Sequence, residues 1–216
     1  MREHVHTLHQ TGLLPGLEET VPTFRSLAIV IDPIVTSVEA VRSTLIEHPL
    51  KSSLSSAPSG SVWRLPVCYE PQYGPDLESV SETIGLATDE VIAAHLGATY
   101  QVYLLGFQPG YGFLGDTDSR LHLPRRTEPR VRVPSGSVAI AMKLTCVYPW
   151  DSPGGWHLLG RCPIPMFDAG APRPTLLVPN DRVRFERINA TEYESLKRDF
   201  ESGSMNWSSW LEPASS

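Results

Sequence analysis

Cysteine is scarce in this 216-residue chain. Cys68, Cys146 and Cys162 are an odd number, at spacings that fit neither a disulfide framework nor a zinc site. The reading is a reducing, intracellular compartment, and the expected location is cytoplasmic. No apolar run approaches the roughly 20 residues that a membrane helix needs, and the N-terminus MREHVHTLHQTGLL is too polar for a secretory signal. Basic runs are also missing: Lys and Arg total 18 against 24 Asp and Glu, a net charge of −6, which argues against a nucleic-acid partner. No G-x-x-x-x-G-K-[ST] loop is present, so ATP is not expected to bind here by that route. There is no G-x-S-x-G elbow to announce a serine nucleophile. The 7 histidines show no paired spacing on a long helix that would hold a metal, with His4 and His6 a weak exception.

What is present describes a globular chain with a sizeable core, 41% hydrophobic and 19% charged. Its 20 prolines are spread along the whole length. Mid-strand proline is confined to edges and bulges, so the natural architecture is many short strands joined by sharp turns. Residues 1–20 carry a weak helical pattern that ends at Pro15-Gly16. SLAIVID (26–32) reads as a buried strand, and TSVEAVRSTLIEH (36–48) as a helix capped by Thr36 or Ser37. KSSLSSAPSGS (51–61) is a Ser-rich loop, and VWRLPVCY (62–69) a second strand. Asp76 is placed to cap a helix over 77–84, and Thr88 another over 89–96. From Tyr100 the period changes to that of strands: YQVYLLGF, LHLP, RVRVP, SVAIAM, TCVYP, GWHLLGRC, TLLVP and DRVRFERI. Strand signals every 8–12 residues or so indicate a barrel or sandwich. A short helix over 192–200 and a docking or frayed tail, SGSMNWSSWLEPASS, complete the chain.

The stretch GFQPGYGFLGDTDSRLHLPRRTEPRVRVPSGSVAI (106–140) concentrates the candidate chemistry. Gly106 and Gly110 bracket Gln108-Pro109 in a turn whose backbone passes close to a packed ring or a ligand, and Tyr111 and Phe113 can supply aromatic walls. Arg125, Arg126 and Arg130 carry the planar fork suited to carboxylate or phosphate, or they pair with surface acids such as Asp116 and Asp118. PSGSVAI (134–140) can present backbone N–H groups and the hydroxyls of Ser135 and Ser137 to an anion or polarised carbonyl, or it is an ordinary turn into a strand. In SPGGW (152–156), Trp156 is either core packing or a pocket wall. His95, at the end of a helix, is a general-base candidate or a core histidine.

The ordered motifs YGPDL (73–77), IAAH (92–95), YQVYLLGFQPGYGFLG (100–115), LPRRTEPRVRVPSGSVAI (123–140), VYPWDSPGGWHLLGR (147–161) and NDRVRFERI (180–188) resemble one family. It is the 5-oxoprolinase B-subunit family, also named the Kip-type inhibitor or allophanate hydrolase subunit 1 family. The same unit occurs as a subdomain of the carboxyltransferase part of urea carboxylase. The resemblance covers roughly residues 20–190. It implies an α+β protein: a small α/β N-terminal domain (1–92) followed by a cyclophilin-like antiparallel β-barrel (93–190), with a C-terminal tail (191–216). It implies partner proteins of the A and C types, a small amide or lactam substrate, no cofactor on this chain, and ATP at a partner subunit. The function expected is opening of 5-oxoproline to glutamate. A kinase-inhibitor-like binding module, or a stand-alone enzyme of altered substrate, is the alternative.

With the resemblance, the expected catalytic residues are His95, Arg125, Ser135 and Ser137. The expected substrate contacts are Phe107, Pro109, Tyr111, Arg126, Lys143 and Trp156. Several segments depart from the family pattern. No opening strand of the type GDxALLVEFG precedes VHTLHQTGLL, so the first domain is expected to lack its first strand. KLTCVYP (143–149) replaces a Gln-Thr-Gly-type turn, which puts Lys143 at a pocket edge. GYGFLGD stands where GFAYLGG is more usual, and the tail bearing Trp207 and Trp210 is an addition.

Overall fold

A computed structural model describes residues 1–23, 26–50 and 60–212. The chain divides into two compact units, Met1–Ala57 and Pro58–Ser216.

The first unit opens with helix α1 (Arg2–Gln10), continues through strands β1 (Leu17–Pro22) and β2 (Leu27–Ile31), and closes with helix α2 (Val38–Glu47). Val5, Leu8, Leu14 and Val41 are its buried centre, with Ile29, Ile31 and Leu45 packed on them. Ser37 caps α2, its hydroxyl accepting from the Ala40 N–H at 3.2 Å. The strand expected over 26–32 is present but is not buried. Among the described residues β2 pairs only with β1, and every second residue along it faces outward. A two-stranded sheet has one covered face, so an apolar run here does not mean two-sided burial. β1 is absent from the sequence reading because LEETVP has little of the apolar alternation that marks a strand.

The second unit contains β3 (Val62–Cys68), α3 (Leu77–Ile84), α4 (Thr88–Leu96), β4 (Tyr100–Leu105), β5 (Gly112–Gly115), β6 (Arg130–Val133), β7 (Ser137–Ala141), β8 (Leu144–Val147), β9 (Ser152–Gly154), β10 (His157–Arg161), β11 (Arg182–Ile188) and α5 (Ala190–Glu201). Seven strands close a barrel in the order β10-β3-β11-β4-β5-β8-β7, while β6 and β9 pair as a separate ribbon. The barrel is mixed rather than antiparallel as expected. β11 runs parallel to β3 along its whole length, from Arg182 opposite Val62 to Ile188 opposite Cys68. That pairing also moves β3 out of the first domain, where the 1–92 boundary placed it. The Asp181 carboxylate secures the junction, accepting from the Ser61 N–H and the Trp63 indole N–H, both at 2.9 Å.

β7 is buried along both faces. Val138 and Ile140 join the barrel interior, whereas Ala139 and Ala141 join an outer cluster with Tyr111, Cys146, Tyr148 and Trp156. LHLP and TLLVP are not strands. Leu121, Leu123, Leu176 and Leu177 are buried, but from a 3-10 turn and irregular chain with a single bridge at Thr175. β5 and β9 escape notice in the sequence because glycine and proline dilute their apolar signal. The tail docks: Trp207 donates its indole N–H to the Pro165 carbonyl at 2.8 Å, and the Glu212 N–H reaches the Val62 carbonyl at 2.8 Å. Most of the Ser-rich segment expected over 51–61, and the final four residues of the tail, lie outside the described residues.

Candidate functional site

Asp76 organises the arginine-rich segment. It precedes α3 but does not cap it with its side chain. Only 3% exposed, its carboxylate accepts from Arg130 twice (2.8 and 2.6 Å), from Arg126 Nη1 (3.1 Å) and from the Leu158 N–H (2.7 Å). The guanidinium of Arg126, expected on substrate, is thus committed to an internal carboxylate, with its Nε on the Glu128 carbonyl at 3.4 Å. Asp116 and Asp118, the surface partners considered from sequence, take Tyr103 and Arg120 instead.

Arg125 has no such partner among the described residues. It is exposed, with its guanidinium carbon 6.0 Å from the centre of the Trp156 ring. Trp156 is buried in an aromatic cluster on the outer face of β5, β7 and β8. Within it Tyr111 meets Phe107, Tyr148 and Trp156 edge to face at 5.4, 5.2 and 6.4 Å. The Tyr111 hydroxyl donates to the Cys146 thiol at 3.0 Å. Burial pushes that thiol well up, and the Tyr111 contact and the Arg125 charge only partly offset it, so Cys146 stays protonated and is no nucleophile. The signature turn holds its shape by backbone geometry. Phe107 sits at φ 69° with its ring exposed, and Gly110 at φ 82° presses so close to Met166 that a Cβ would stand 2.8 Å from its carbonyl oxygen. Pro109 contributes its carbonyl, which accepts from the Trp150 indole at 3.1 Å. Lys143 is exposed on the tight β7–β8 turn beside Met142, itself at φ 56°.

Of the two readings of the Ser135–Gly136–Ser137 turn, the ordinary one holds for its amides, none of which is free. Ser135 N–H donates to Asp151 at 2.7 Å, Gly136 N–H to the Tyr148 carbonyl at 2.7 Å, and Ser137 N–H to the Pro134 carbonyl at 3.2 Å. The Ser135 and Arg132 bonds hold the Asp151 carboxyl below its usual range. With all three donors satisfied inside the protein, no oxyanion hole exists here. What the turn does is edge a cavity of about 250 Å³, together with Tyr148, Arg161, the 162–166 segment and the inner face of α5. Gly136 adopts φ 80° there, and the space a Cβ would need is filled by the Cys162 carbonyl oxygen. Ser137 is 2% exposed and lies behind the turn.

His95 is fully buried on the opposite side of β8. Thr145 donates its hydroxyl to the Ala139 carbonyl at 3.0 Å, so it accepts from His95 Nε2, 3.0 Å away. Nδ1 accepts from the Tyr69 hydroxyl at 2.7 Å. Phe185 stacks on the ring at 4.7 Å. Burial lowers the imidazole to about 3. Thr145 and Cys146 are neighbours on one strand and face opposite ways, so the sheet separates His95 from Tyr111 and its cluster. The structure therefore brings Arg125, Trp156, Tyr111 and Phe107 together. It puts Ser135 at the cavity and leaves His95 in the barrel interior. Arg161 and Lys197, the cavity's two cations, are missed by sequence reasoning; an arginine closing an apolar strand just before Cys-Pro-Ile-Pro was the available signal. Among the described residues no cluster of three or more His, Cys, Asp or Glu could hold a metal, and no helix is long and apolar enough to cross a membrane.

The 5-oxoprolinase B-subunit of Bacillus subtilis (strain 168) is 37% identical over 195 residues, spanning 86% of this chain and 81% of that protein. The solved structure of TTHA0988 superposes with a TM-score of 0.72 at 36% identity over 86% of this chain, which corresponds to only 36% of that longer chain. The conserved uncharacterized protein PH0987 from Pyrococcus horikoshii aligns at 38% identity over 89% of both chains, with a TM-score of 0.60. A family model described as carboxyltransferase domain, subdomain C and D, matches residues 2–177, reaching further toward the N-terminus than the motif resemblance did. This chain belongs to that carboxyltransferase subdomain C and D family.

Proposed function

We propose that this chain is the B-type component of a cytoplasmic, ATP-dependent lactam hydrolase that opens 5-oxoproline to glutamate in concert with A-type and C-type proteins. The observation that carries the reading is the 37% identity to a 5-oxoprolinase B-subunit over 81% of its length. The chain's own chemistry is consistent with a component rather than a complete enzyme. Its three cysteines are buried and its candidate base His95 is sealed in the core. Its sequence has no phosphate-binding loop, so ATP is assigned to a partner. The side chains that reach outward near the signature turn are Phe107, Arg125 and Lys143, and they are assigned to the surface that docks a partner protein.

The test is reconstitution. Purified chain mixed with A-type and C-type proteins, ATP and 5-oxoproline is expected to release glutamate, with the three proteins co-eluting. Absence of both activity and co-elution sinks the reading. Arg125→Ala is expected to lower the rate at least about tenfold, the scale of one charge-assisted contact. Because it loses only an exposed cation–π contact of about 0.5–1 kcal/mol, the melting temperature should fall by less than about 4 °C.

A further inference from the structure

We propose that the cavity between the Ser135–Gly136 turn, the 161–166 segment and α5 binds a small monocarboxylate, gripped by Arg161 and Lys197. Arg161 ends β10 half-exposed, and its Nε is fixed on the Ser135 carbonyl at 2.8 Å. Among the described residues nothing accepts from its two terminal nitrogens, and no carboxylate pairs with it. A guanidinium anchored by Nε with both terminal nitrogens open on a cavity is a pre-oriented fork for a carboxylate. Lys197 reaches the same space from α5; its nearest acid is Glu201, at a loose 3.9 Å across one helical turn.

Charge selects the class of ligand. Arg161 and Lys197 against Glu201 leave one net positive charge on the lining, which suits a monoanion better than a phosphate dianion. Asp151 faces the turn from outside but is held by Ser135 N–H and Arg132. Much of the remaining wall (Pro149, Pro163, Ile164, Phe200) is apolar and fits a compact uncharged body. Burial raises the Tyr193 phenol to about 12, so it stays a neutral donor at the cavity wall. At about 250 Å³ the space is below that of typical drug-sized pockets (about 300–1,000 Å³) and matches a metabolite. α5 lies beyond the residues that the family model matches, so its share of the wall (Tyr193, Lys197, Phe200 and Glu201) belongs to no matched segment.

The class of ligand stands by itself; that the acid is 5-oxoproline rests on the 5-oxoprolinase reading. The experiment is calorimetric titration of the full chain with 5-oxoproline, cyclopentanecarboxylate and the neutral lactam 2-pyrrolidone. Both acids are expected to bind and pyrrolidone is not. Arg161→Gln should weaken binding about 10- to 100-fold, the range of a hydrogen-bonded charge, and Lys197→Gln a few-fold. Lys197 is half-exposed on a helix, so its variant should melt with the parent, which separates lost binding from lost folding. Shifts at the Ile164 and Met166 methyl resonances should locate the ligand. No binding of either acid at millimolar concentration, equal binding of acid and pyrrolidone, or affinities unmoved by both substitutions overturns the site. Binding of cyclopentanecarboxylate alone keeps the site and counts against 5-oxoproline as its occupant. Acid binding without glutamate release by the reconstituted proteins keeps the site and removes the hydrolase reading.

Discussion

Asp76 and His95 show how far single residues can be read from sequence. Asp76 followed by a helical pattern suggests a cap, and the arginines fifty residues later suggest an anion site; in the fold they satisfy each other. Removing the acid leaves two guanidiniums facing a site built for a carboxylate, so Asp76→Asn is expected to cost about 3–5 kcal/mol in a denaturant titration. A loss below about 1 kcal/mol would show that the pair is only a surface contact. The sequence holds each partner but not their meeting, because pairing across so many residues leaves no local period. His95 is legible as a core histidine and equally as a base, and burial decides between them. It stays neutral in the fold down to about pH 3, while the unfolded chain takes up its proton near 6.5. Between those values the unfolded state binds the extra proton. This contribution is therefore complete above pH 6.5 and is lost as pH falls, at about 1.4 kcal/mol per unit. Stability measured at several pH values should show that slope in the parent and a shallower one in His95→Gln.

Elements are read best where one signal dominates. α2, α3 and α4 are recovered within a residue or two because their helical spacing is clear, although of the expected caps only Ser37 is used: Asp76 makes no side-chain cap bond, and Thr88 lies inside α4, after Ala87. β7 is recovered because a strand buried on both sides is a continuous apolar run. β5 and β9 fail for the opposite reason: glycine and proline occupy positions where close approach, not side-chain packing, sets the sequence. The Ser135–Ser137 turn stands out for its small residues, but their use differs from the one expected. Its glycine serves backbone approach rather than ligand contact, since the position combines φ 80° with no room for a Cβ. Gly136→Ala is accordingly expected to destabilise by at least about 1–3 kcal/mol, read as a lowered melting temperature. The same substitution should disturb acid binding in the cavity, and an unchanged melting point would show that the turn can relax.

For the molecule as a whole, a small α/β unit and a β-barrel are both legible, and their boundary is not. Each unit holds its own core, but the first has few fully buried side chains and under about 60 residues, the size at which a domain is marginal. All five tryptophans lie in the second unit. Tryptophan fluorescence is therefore expected to follow the barrel alone, and a fragment spanning 58–216 should melt in that signal within a few degrees of the full chain. A fragment that fails to fold, or a large shift, would show that the barrel needs residues 1–57.

The parallel zipper of β3 on β11 also governs when the barrel can exist at all. Of the seven barrel strands, β3 leaves the ribosome first and β11 last, with every other barrel strand synthesised between them. A nascent chain must carry β3 with an unpaired edge until residue 188 has emerged, then seal the ring in one late, long-range step. Until that step the barrel is an open sheet with an exposed edge, the form most prone to pair with a neighbour.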